Sequence, residues 1–267
     1  MLVTETFIYL HQPKTGGTFV TALLTQLLEA RGARVETVEI DPSDRSALPA
    51  VPPGGALNLM FSGRHQHGGR QHIPPPLADR PILATIRNPY DRYVSQYEFA
   101  WWRKAPAMFG PIEDVRQRHP SYPDLTFAEF VHLTNDVSVR YRAPSHPDGT
   151  PGFHTQQFVE YFFPEPEAAY PRLADSAFSH GVFDRELRGV RFIDQARLND
   201  ELAEALLAMG YGAADAQIVR RADRIWPPEG GRAAGSAWAP YYTAELEAFV
   251  RRQERWLFEW FPQFDRV

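Results

Sequence analysis

The run Phe7-Ile8-Tyr9-Leu10 breaks into His-Gln-Pro-Lys-Thr-Gly-Gly-Thr, and helical spacing follows at once through Val20, Leu23, Leu24, Leu27 and Leu28. A short β-rich run, a glycine turn and an amphipathic helix make a strand–loop–helix unit, the building block of parallel sheets. The strand is expected over 6–10 and the helix from Thr18, with Gly32 as its stop. Further strand patterns fall at 34–40, 56–61, 81–86 and 190–193. Between them, Asn88 and Pro89 have the chemistry of an N-cap and a first helical position. Helices are also expected around 127–133, over 198–209 up to Gly210, and as one long element over 243–260. Residues 41–55 and 222–239 read as loops, and about 104–188 as irregular chain rich in Pro, His and aromatic residues. The alternation predicts an α/β fold, a mainly parallel sheet flanked by helices, in a single domain over 1–267.

A chain of 267 residues suits one sizeable α/β domain better than two. Its net charge of −5 argues against nonspecific nucleic-acid binding, so an anionic ligand must be met by local basic groups. With no cysteine, disulfides and thiolate metal sites are excluded. No apolar run reaches the ~20 residues that span a bilayer, and the first residues lack a secretory pattern. The expectation is a cytoplasmic protein with no membrane span and no nucleic-acid partner.

In α/β sheets ligands bind at the carboxyl ends of strands, and the loops 11–17 and 87–91 both fall there. In the first, Gly16 and Gly17 allow a tight turn, the following helix adds its positive end, and Thr15 and Thr18 offer hydroxyls. Lys14 adds a mobile charge, but it precedes the glycines, whereas the ATP-binding loop G-x-x-x-x-G-K-[ST] puts its lysine after them. In the second, Arg87 stands at a strand end and Ser95 two turns into the next helix, a pair able to grip an oxyanion. Arg92 is a further candidate or an ion-pair residue. Two such clusters imply a ligand with two separated anionic ends. ATP has one; a nucleotide with a 5′ chain and a 3′-phosphate has two.

"PKTGGT", followed after about seventy residues by a strand and "RNPYDRYVSQY", resembles the PAPS-dependent sulfotransferases, nearest to the carbohydrate branch with the heparan sulfate 2-O-sulfotransferases and bacterial relatives. The resemblance is clear over about residues 5–100 and faint beyond. It implies a P-loop-type fold. It implies PAPS as co-substrate, with no metal, a hydroxyl-bearing acceptor (a carbohydrate or other small molecule), and PAP as product. Pro13, Lys14, Thr15, Gly16, Gly17 and Thr18 would hold the 5′-phosphosulfate, and Arg87 and Ser95 the 3′-phosphate. Residues 1–103 would form the PAPS-binding core, 104–188 an acceptor-binding insertion, and 189–267 the strand and helices completing the fold. Lys14 would meet charge developing on the bridging oxygen.

The acceptor's proton needs a base, and histidine titrates near neutral pH. "FSGRHQHGGRQH" carries His65, His67 and His72 after the third strand pattern. The family shows a His-x-His in the corresponding loop, and His65 and His67 match that spacing. His65 fits the offset from the strand more closely; His67 is the alternative. Without cysteines or a nearby carboxylate the loop makes a poor metal set. His154, Gln156 and Gln157 are weaker candidates for ligand contact. Two other classes stand as alternatives: a P-loop ATP-dependent small-molecule kinase, and a non-catalytic nucleotide-binding protein on the same fold.

Overall fold

The computed structural model describes residues 1–41, 50–61, 66–73, 75–141, 151–173, 175, 178, 180–223 and 237–265. Among them six strands form one sheet. They are β1 Leu2–Thr4, β2 Ile8–Leu10, β3 Val35–Ile40, β4 Ala56–Phe61, β5 Ile82–Ile86 and β6 Val190–Asp194, ordered β3-β4-β1-β2-β5-β6. The main helices are α1 Gly17–Ala30, α2 Pro89–Phe99, α3 Phe127–Tyr141, α4 Phe153–Phe162, α5 Leu198–Ala208, α6 Ala213–Arg221, α7 Ala244–Gln253 and α8 Arg255–Trp260.

The sheet is mostly parallel, with β3 on β4, β2 on β5 and β5 on β6 running the same way. The exception is β1, antiparallel to both β4 and β2. The strand pattern read at 6–10 is therefore a hairpin with a shorter strand. Thr4 makes the turn: its hydroxyl accepts from the Phe7 amide at 2.9 Å and donates to the Phe7 carbonyl at 2.8 Å. Because β1 alone is reversed, the other five strands all end at one edge.

The chain divides into two compact units, residues 1–87, 160–165 and 183–226, and residues 88–159, 166–182 and 227–267. The first holds the sheet. There α1, α5 and α6 share a core with the strands, built on Phe7, Tyr9, Phe19, Leu23, Leu83, Ile193, Leu202 and Val219. Each such side chain contributes about 1.5–3 kcal/mol on burial. On α1 the buried positions recur at helical spacing, and the helix stops at Gly32, which adopts φ 80°. Gly210 ends α5 the same way, at φ 85°. Phe162, at the end of α4, packs edge-on against Phe192 of β6.

The second unit is helical. Asn88 caps α2 by accepting from the Tyr90 amide at 2.9 Å, with Pro89 in the first turn. The aromatic face of α2 is spent in this unit: Tyr93 bonds Asn135 of α3, and Tyr97 packs on Phe130. So α2, grouped by the sequence with residues 1–103, belongs by its packing to the second unit. The region expected to be irregular contains α3 and α4 and several short helical turns, and α3 runs on to Tyr141. The single helix expected over 243–260 is two, broken at Glu254, which adopts φ −99° and ψ 21°. Glu254 leaves the helix to serve α4: its carboxylate accepts from the amides of His154 and Thr155 and the hydroxyls of Tyr93 and Thr155, at 2.6–3.0 Å. Among the described residues no helix is long and apolar enough to cross a membrane.

Candidate functional site

The loop at the end of β2 turns sharply over residues 13–16 before α1 begins. Gly16 is left-handed at φ 94°, and so is Lys14 at φ 64°, a conformation that costs a non-glycine residue roughly 1–3 kcal/mol. Such turns gather backbone amides on one side, as an anion requires. Opening α1, Gly16 gives no side-chain cap, and the first turn carries no acidic residue. The unbonded amides and the positive end of this helix are thus neither capped nor neutralised by its own side chains. Thr18 is exposed in the first turn, while Pro13 and Lys14 are half-buried.

Thr15 works differently from expectation. Fully buried, it donates its hydroxyl proton to the Gln12 carbonyl at 2.9 Å. Its oxygen lies 2.7 Å from the Thr85 hydroxyl, which lies 3.1 Å from the Tyr9 phenol. A carbonyl cannot donate, so the direction is set throughout: Tyr9 donates to Thr85, Thr85 to Thr15, and Thr15 to Gln12. Burial raises the Tyr9 phenol well above its ordinary range, so it keeps its proton. This chain ties the loop to β2 and β5. It leaves Thr15 its backbone amide, not its hydroxyl proton, for a ligand.

His11, the first residue after β2, is 6% exposed. Its Nδ1–H donates to the Gln66 side-chain oxygen at 3.0 Å, and the Gln66 amide donates to Asn58 of β4 at 3.2 Å. The ring packs where a Gly17 side chain would stand: an added Cβ would lie 1.9 Å from its Cδ2. Gly17 is thus required by close approach. Burial first, then His67 and the amino group of Met1, hold the His11 pKa well below 6.5, against a smaller opposing effect of Gln66. Gly17→Ala is expected to lower stability by roughly 1–3 kcal/mol through overpacking, although alanine normally favours a helix. Urea unfolding reads this; an unchanged midpoint would show that the ring can move aside.

The base candidate His67 lies beside this loop. Its Nδ1–H donates to the His11 carbonyl at 3.0 Å, and the two rings meet edge to face at 4.7 Å. The neutral ring then carries its lone pair on Nε2, as a base needs. His72 is separate: its Nδ1 accepts from the Gly69 amide at 2.9 Å, closing its own turn. His65 lies outside the described residues. Among those described, no three His, Asp or Glu side chains group closely enough to hold a metal ion.

Arg87, one residue past β5, donates to the Lys14 carbonyl at 3.2 Å. The strand end of the second motif therefore meets the first motif directly. A guanidinium has five N–H donors, so this contact is compatible with holding an anion as well. Ser95 is half-buried on α2 in the second unit. There, too, Arg92 is buried and donates to Gln157 at 2.8 Å. His154 and Gln156 are buried, with the Gln156 amide donating to the Pro151 carbonyl. These side chains belong to that unit's core. The residue missed in the sequence is His11; the available signal was a single imidazole between a buried strand and a glycine turn.

No protein-family model matches the chain, and no match was found among curated proteins or solved structures.

Proposed function

We propose that the chain is a PAPS-dependent sulfotransferase with a P-loop-type fold, moving a sulfuryl group to a hydroxyl of a carbohydrate or other small molecule. One observation carries the reading: Arg87 at the end of β5 hydrogen-bonds the backbone of Lys14, so motifs about seventy residues apart share one edge of the sheet. The uncapped start of α1 and the neighbouring His67 support it further. In the proposed reaction the acceptor oxygen attacks sulfur and its proton passes to Nε2 of His67 or to His65. The bond between sulfur and the bridging oxygen breaks, and PAP leaves. The amides of residues 15–18 hold the 5′-phosphate, Lys14 meets the charge growing on the bridging oxygen, and Arg87 holds the 3′-phosphate.

Thermal unfolding with PAP, 3′-AMP and ATP–Mg tests this. PAP at a hundred times its Kd stabilises by about 2.7 kcal/mol, an expected Tm rise of roughly 5–10 °C. 3′-AMP, lacking the 5′ group, should shift Tm less. A rise with ATP–Mg alone would replace the sulfotransferase reading with the kinase. If PAP proves to bind, labelled PAPS offered with a panel of glycans, phenols, lipids and peptides, read by mass spectrometry, identifies the acceptor.

A further inference from the structure

We propose that Thr85, inside β5, keeps the Lys14 turn in its left-handed conformation and acts on sulfuryl transfer only through Lys14. The hold on the backbone stands on the loop's own geometry; its effect on turnover rests on the sulfotransferase reading. Lys14, at φ 64°, and Ala100 are the two non-glycine residues at positive φ among those described. A residue with a Cβ does not stay there unaided, so the surroundings must hold it. Thr15, on one side of Lys14, donates to the carbonyl of Gln12 on the other, at 2.9 Å. That bond is local and would move with the loop. The Thr85 hydroxyl, 2.7 Å from the Thr15 oxygen, is what fixes it to the sheet.

Thr85 is the one polar residue of β5, Ile-Leu-Ala-Thr-Ile, and it is fully buried, as are Thr15 and Tyr9. A buried strand gains nothing from a hydroxyl of its own, and valine would fill the same space. The hydroxyl is spent on β2 and the loop that follows it, accepting from Tyr9 at 3.1 Å and donating to Thr15. Thr85 is β-branched and stiff, and its strand pairs with β2 through Ala84 and Leu10, so the anchor is rigid. Arg87, two residues on, donates to the Lys14 carbonyl at 3.2 Å, but it is half-buried on a long stem that can follow the loop. Without the Thr85 hydroxyl, residues 12–15 can shift together, and Lys14 relaxes to negative φ and carries its ammonium out of place.

NMR of the unaltered chain and three variants tests the hold. At φ 64° the amide proton and Hα of Lys14 are nearly eclipsed, which gives a strong NOE between them. Thr85→Val should weaken this NOE severalfold, and Thr85→Ser, which keeps a hydroxyl, should restore it. Tyr9→Phe is the control: it also removes a buried hydroxyl bonded to Thr85, but leaves Thr85 bonded to Thr15, so the Lys14 NOE should stay. If Thr85→Val does not fold, Thr15→Val, which cuts the same bond from the loop side, takes its place. With labelled PAPS, Thr85→Val should lower turnover roughly tenfold and PAP affinity less than about threefold. In a Lys14→Ala chain the same substitution should cost no further turnover. An unchanged Lys14 NOE in Thr85→Val overturns the hold and leaves the sulfotransferase reading standing. A weakened NOE with a further fall in turnover in the Lys14→Ala chain overturns the route through Lys14. A weakened NOE in a chain that neither binds PAP nor uses PAPS keeps the hold and removes the sulfotransferase reading.

Discussion

Lys14→Ala is expected to slow sulfuryl transfer roughly a hundredfold to a thousandfold while weakening PAP binding less than about tenfold. The asymmetry follows from where the charge appears. Backbone amides of the loop hold the 5′-phosphate throughout the reaction. The Lys14 ammonium acts on the bridging oxygen, whose charge grows as the bond to sulfur breaks, and only such interactions raise turnover. Backbone geometry supplies a control. Lys14 sits at φ 64°, a strained conformation for any residue with a Cβ, and alanine keeps that strain. Lys14→Gly relieves it, so the glycine variant should be as inactive as the alanine variant but melt at a higher temperature. Steady-state rates, PAP titration and Tm for the three chains check this. Equal losses in rate and in PAP affinity would make Lys14 a binding residue and nothing more.

The parts of the fold that the sequence revealed are those with local chemical markers. Asn88-Pro89 marks the start of α2, and Gly32 and Gly210 mark the ends of α1 and α5, because capping and left-handed φ depend on one or two residues. The strand patterns at 34–40, 56–61, 81–86 and 190–193 lie within a residue of β3 to β6, because β5 is apolar throughout its buried length apart from Thr85 and β3 alternates in strand fashion. β1 was invisible because it has three residues, pairing with β2 and also with Ala56–Asn58, more than fifty positions away. α4 escaped because its buried face mixes His154, Thr155 and Gln156 with Phe158 and Val159, which breaks an apolar pattern.

At the site, the loop and Arg87 were legible as types of chemistry, but their contact was not, because a hydrogen bond from a side chain to the Lys14 carbonyl leaves no trace in residue identity. Thr15 misled for a related reason. A hydroxyl in a glycine turn suggests a ligand donor, and only the positions of Gln12 and Thr85 show its proton to be committed. Gly17 suggested backbone freedom, whereas the structure makes it a seat for the His11 ring. The same seat explains how residues 66–69 come to lie by the loop: His11 offers its ring to Gln66 and its carbonyl to His67.

Glu254→Ala is expected to destabilise the second unit by about 3–5 kcal/mol, a large part of the 5–15 kcal/mol typical of a folded domain. The carboxylate is fully buried and accepts four hydrogen bonds, two of them from the first amides of α4. Removing it strands the Thr155 hydroxyl and both amides away from water and leaves the Tyr93 hydroxyl only the Asn135 side chain. Glu254→Gln is the sharper test, because it keeps the shape while aiming an amide N–H₂ at groups that are themselves donors. Burial raises the Glu254 pKa, and the four donors pull it back only in part. An acid with a raised folded pKa contributes most stability below its unfolded value, about 4.3, and loses it as pH rises through the folded value. The stability gap between the unaltered chain and Glu254→Gln should therefore be widest in mild acid and narrow toward neutral pH, as read by urea unfolding at several pH values. A gap that instead widens with pH would mean that the four hydrogen bonds outweigh burial, and that Glu254 is held as a carboxylate more firmly in the folded chain than in water.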